Sequence, residues 1–111
     1  MIKNQKICKI VEEFSLYLLE NNIKDLTIGI SNCDDQVIIN FSFSGYIQAI
    51  KDYVLLHIKG QRDPQIEEYG WELMGEGAYD DDLGIINALI DEINYLEQNN
   101  KTIVRMVRYE S

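Results

Sequence analysis

Two runs of strict alternation, separated by a short polar turn, constrain the fold of this chain more than any other feature. Leu26, Ile28 and Ile30 alternate with Thr27, Gly29 and Ser31; Val37, Ile39, Phe41 and Phe43 alternate with Ile38, Asn40, Ser42 and Ser44. A side-chain period of two gives each run one apolar face. Asn32-Cys33-Asp34-Asp35 between them supplies turn residues that tolerate tight backbone conformations. An antiparallel hairpin over 24–44 is expected, each strand burying one face.

Helical spacing flanks the hairpin. Ile7, Ile10, Val11, Phe14, Tyr17 and Leu18 recur at steps of three and four, predicting a helix over 6–21 that Asn21-Asn22 ends. Residues 46–59 fit either a helix, through Ile47, Ile50, Val54 and Ile58, or a buried strand over Tyr53–Ile58. Helix is favoured, because Gln48–Asp52 has little strand propensity. Between 60 and 79 lie four glycines and Pro64, with a short helical turn expected within 65–74. Asp80-Asp81-Asp82 reads as the capped entry to a helix over 83–98, with Leu83, Ile86, Leu89, Ile90, Ile93 and Leu96 as its apolar stripe. Asn99-Asn100 would close it, and 102–109 would form a last strand.

The sequence thus predicts an α+β fold in the order α-β-β-α-(turn)-α-β, a small antiparallel sheet packed with helices. Its 111 residues suit one domain spanning 1–111. Tyr17–Asn22 and Tyr95–Asn100 echo one another, which two helices needing the same stop would do without duplication.

Charge narrows the choice of partner. Residues 1–62 balance to zero, whereas 63–100 hold eleven acids and no Lys or Arg, so that the chain totals −9. A field of one sign repels nucleic acid and anionic membrane and attracts a basic protein. A solvated face that keeps the chain dispersed accounts for the same pattern. The N-terminus has no signal-peptide character, and no apolar run approaches the length of a membrane span. Cys8 and Cys33 lack metal-ligand or redox spacing and read as free thiols, which points to the cytoplasm.

No catalytic set assembles from these residues. His57 is the only histidine, which excludes a two-histidine zinc site and favours a structural role among Leu55, Leu56 and Ile58. Ser31, Ser42 and Ser44 lie outside any nucleophile-elbow sequence. Gly75-Glu76-Gly77 lacks the remaining elements of a dinucleotide or phosphate loop. A calcium loop starting at Asp80 would need a ligand at Gly84 and glycine at Ile85, so that reading fails. No metal, cofactor or catalytic residue is assigned, and the chain is read as a non-enzyme.

The expected partner-binding residues are Glu67, Glu68, Tyr69, Trp71, Glu72, Glu76, Asp80, Asp81 and Asp82. Trp71 is the only tryptophan, and aromatic anchors within polar surroundings are typical of interfaces. Against that, it would serve equally as a plug at the edge of the core. Acids at helical spacing lie roughly 5–6 Å apart, close enough to imitate a phosphate array. In size, charge and element order the chain resembles small acidic phage inhibitors of host defence nucleases, anti-CRISPR proteins among them, and immunity proteins that neutralise toxins. That resemblance implies inhibition of a basic nuclease or toxin. An adaptor or subunit domain that binds through an apolar patch is the alternative, and a metal-dependent enzyme using Asp80–Asp82 is a weaker one.

Overall fold

The computed structural model describes residues 2–60 and 82–110. Helix α1 (Lys3–Glu20) leads into the hairpin of β1 (Thr27–Asn32) and β2 (Gln36–Ser44), followed by α2 (Gln48–His57). After the segment 61–81 come α3 (Asp82–Leu89), β3 (Glu92–Gln98) and β4 (Lys101–Tyr109). The strands form one antiparallel sheet in the order β1-β2-β4-β3. The α+β class, the hairpin and the helix at 48–57 agree with the sequence reading.

Alternation decides which face of the sheet is covered. Val37, Ile39, Phe41 and Phe43 of β2 are all buried, beside Val104 and Met106 of β4. Ile7, Ile10, Phe14 and Leu18 of α1 close over this face, with Phe14 edge-on to Phe41 at 4.7 Å between ring centroids. Leu83, Ile86 and Leu89 of α3 and Ile50 and Val54 of α2 complete the same core.

α1 ends as its sequence requires. Asn22 adopts φ +68°, its N–H donates to the Leu19 carbonyl, and the N–H of Ile23 donates to Leu18, each at 3.1 Å. This double closure is a Schellman motif, and it folds Ile23 back into the core with Leu18.

One element differs from expectation. Residues 83–98 are not a single helix: α3 stops at Leu89, and Glu92–Gln98 is an edge strand paired with β4. Ile93 lies opposite Met106 and Tyr95 opposite Val104, so both turn inward at strand spacing, while Leu96 faces outward and is exposed. The Asn99-Asn100 pair is a hairpin turn rather than a helix stop. Both residues have positive φ, +53° and +62°, between the paired residues Gln98 and Lys101. That is the requirement of a two-residue type I′ loop. The echo between Tyr17–Asn22 and Tyr95–Asn100 therefore covers a helix end in one place and a strand and hairpin in the other.

β1 also departs from its pattern. Ile28 and Ile30 pair with Phe41 and Ile39 and share their inward parity, yet all six β1 residues are exposed. No helix among the described residues is long and apolar enough to cross a membrane.

Candidate acidic face at the α3–β3 corner

Of the residues expected to bind a partner, Glu67, Glu68, Tyr69, Trp71, Glu72, Glu76, Asp80 and Asp81 lie outside the described residues. So does the helical turn expected within 65–74. Asp82 opens α3. The structure therefore bears on the acidic half through the points where the scaffold releases and recovers the chain, and through the acids of β3.

The release point is built around Asn87. Its Oδ1 accepts the N–H of Lys59 at 2.7 Å and of Gly60 at 2.8 Å. Two donors on one oxygen fix the stretch after α2 to the last turn of α3. Gly60 sits at φ +74°, and a Cβ there would come within 2.6 Å of the Asp91 carbonyl carbon. Only glycine permits that approach. The segment 61–81 thus leaves from a point fixed on α3 and returns at the first residue of the same helix.

Next to this anchor lie Asp91 and the first acid of β3, Glu92. The N–H of Asp91 donates to the Val107 carbonyl at 2.8 Å, and its Oδ2 accepts the N–H of Tyr109 at 2.7 Å. Glu92 accepts the Tyr109 hydroxyl, an interaction that pushes the phenol above its ordinary titration range. Arg108, buried on the inward face of β4, donates through Nη1 to the Leu89 carbonyl and through Nε to Glu110 at 2.9 Å. A cation at that position complements the carbonyl end of α3.

Glu97 lies at the other end of β3, 3.3 Å from Lys51 of α2, whose ammonium also stands 5.7 Å from the Tyr95 ring centroid. Because β3 is a strand, Glu92 and Glu97 have opposite parity and stand about 17 Å apart, from about 3.3 Å per residue. The helical spacing of 5–6 Å does not apply to them. The signal for this was present in the inward pair Ile93 and Tyr95 followed by two asparagines.

His57 packs on Tyr53 at 4.2 Å, Tyr53 stacks on Tyr17 at 5.4 Å, and burial lifts the Tyr17 hydroxyl to about 12 with Tyr53 and Tyr95 adding to it. Cys8 and Cys33 are free and exposed. Among the described residues no three His, Cys, Asp or Glu side chains converge as metal ligands.

No protein-family model, curated protein or solved structure matches this chain.

Proposed function

We propose that the chain is a non-enzymatic inhibitor that occupies the basic site of a nucleic-acid-handling protein, a nuclease or a toxin. The observation that carries this reading is the run of eleven acids without one Lys or Arg over 63–100. Support comes from the anchoring of Lys59 and Gly60, shortly before this run, to α3 through Asn87, which would hold the start of the acidic segment on a fixed base. Charge of one sign governs the rate and salt dependence of encounter, and a desolvated aromatic, Trp71 or Tyr69, holds the complex.

Capture from cell extract at low salt, repeated at high salt, identifies the partner. In binding kinetics, the Glu67→Gln, Glu68→Gln, Glu72→Gln triple variant slows association and flattens its salt dependence. Trp71→Ala speeds dissociation. If both variants stay folded by circular dichroism and bind as the parent does, the acidic segment is a solvated face and the proposal fails.

A different observation favours the adaptor reading: Leu55 and Leu56 of α2 are exposed, at 44% and 64%. A partner whose capture is insensitive to salt and lost with Leu56→Ser supports that alternative.

A further inference from the structure

The two edges of the sheet are not alike. β3 carries Glu92 and Glu97 along its edge, and charges of this kind discourage another strand from adding. β1 reads Thr-Ile-Gly-Ile-Ser-Asn, with no charge and no proline, and it has no strand on its outer side among the described residues. Ile28 and Ile30 are 37% and 51% exposed on it.

The backbone of β1 has a defined direction. Cys33 donates its N–H to the Gln36 carbonyl at 3.0 Å, closing the hairpin around Asp34-Asp35. Hydrogen-bonded positions alternate along an antiparallel ladder, so Ser31, Gly29 and Thr27 aim their amides at β2. Asn32, Ile30 and Ile28 aim theirs outward. An added strand must meet those three residues.

From this edge we infer that the chain forms a two-fold dimer through antiparallel pairing of β1 with β1 of a second copy, centred on Gly29. In this register Ile28 and Ile30 of the two copies lie opposite one another as hydrogen-bonded pairs, and Thr27 faces Ser31. The same register sets Asp25 opposite Cys33, whose carbonyl oxygen holds the Lys3 ammonium at 2.8 Å, and leaves Leu26 opposite Asn32. Moving the centre to Ile28 puts Asp25 opposite Ser31 and loses the charge match, and moving it to Ile30 puts Ile28 opposite Asn32. The isoleucines, Thr27 with Ser31, and the Asp25 charge are thus self-complementary, as an interface made of one patch used twice requires.

The acids of β3 lie away from this contact. β1 lies three strands from β3, about 14 Å at about 4.8 Å per strand, beyond a screening length of about 8 Å at physiological salt. This inference does not depend on the inhibitor reading, which concerns the other half of the chain.

Light scattering on the purified chain should give twice the chain mass of 12.9 kDa. The Ile28→Lys, Ile30→Lys variant should give the single mass with its circular dichroism unchanged, since both positions are exposed in one copy. Register is read by cross-linking in a Cys8→Ser, Cys33→Ser background. Gly29 has open space around a built Cβ, and the two Gly29 residues face each other as a non-hydrogen-bonded pair about 4.5 Å apart, within disulfide range. Gly29→Cys should therefore oxidise to a dimer, while Ser31→Cys, four residues out of register with its own copy, should not. A monomeric parent overturns the inference, and so does a dimer in which Gly29→Cys fails to cross-link or Ser31→Cys cross-links as well.

Discussion

Gly60 lies against the peptide carbonyl of Asp91, in a left-handed conformation that brings the end of the α2 connection onto the start of β3. The contact joins two points of the chain separated by residues 61–90.

A graded series of alanine substitutions follows from three glycines. Gly60→Ala meets both a positive φ and the Asp91 carbonyl, and should lower stability by about 2–3 kcal/mol. Gly45→Ala, at φ +90° with open space around it, should lose only about 1–2 kcal/mol. Gly29→Ala meets neither obstacle and should change little. Denaturant midpoints at constant slope read the order, and equal losses at Gly60 and Gly45 would refute the packing contribution.

The β3–β4 turn makes a prediction of opposite sign. Asn100 is held at φ +62°, its N–H donating to the Tyr46 hydroxyl at 2.6 Å and its carbonyl accepting from Gly45 at 2.8 Å. Asn100→Gly keeps these backbone bonds and suits the second position of a type I′ turn, so it should stabilise by about 0.5 kcal/mol. Asn100→Val should destabilise by about 1–2 kcal/mol. Thermal unfolding of the three proteins tests the ranking.

Stability should fall in alkali. Tyr17 is lifted from 10.0 to about 12 by burial, and Tyr95 is also raised, again chiefly by burial. The folded state therefore keeps protons that the unfolded state releases. The effect of these phenols on stability is absent below pH 10 and grows as pH rises towards about 12, lowering stability. Ultraviolet absorbance of tyrosinate should show a late-titrating fraction that Tyr17→Phe reduces and denaturant abolishes.

Asp25 titrates in the other direction. Hydrogen bonds from the Ser44 hydroxyl and then its amide hold the carboxyl below 3.8. A depressed folded value favours folding above the unfolded one and ceases to do so as pH falls through the folded value. Ser44→Ala should move the Asp25 carboxyl resonance back towards its ordinary midpoint in an NMR titration.

Local sequence was sufficient for α1 and for the β1–β2 hairpin. In α1 the apolar stripe, the Asn22 left-handed residue and the returning Ile23 all lie within one short stretch, so each choice could be read without the rest of the fold. The hairpin likewise carries its alternation and its turn together. Residues 90–98 do not contain their own answer. Ile90, Ile93 and Leu96 fit a helix, while Ile93 and Tyr95 fit a strand, and the pairing of these two with Met106 and Val104 decides between them. An open edge on β4 would leave its backbone groups without ladder partners, and β3 supplies them over seven residue pairs. The exposure of β1 is equally non-local. Its apolar residues have the right parity for the core, but α1, α2 and α3 close over β2, β4 and the inward side of β3, leaving Ile28 and Ile30 uncovered. Charge could be counted along the chain, whereas its distribution between opposite sheet edges followed from the strand order, because only the tertiary pairing separates β1 from β3.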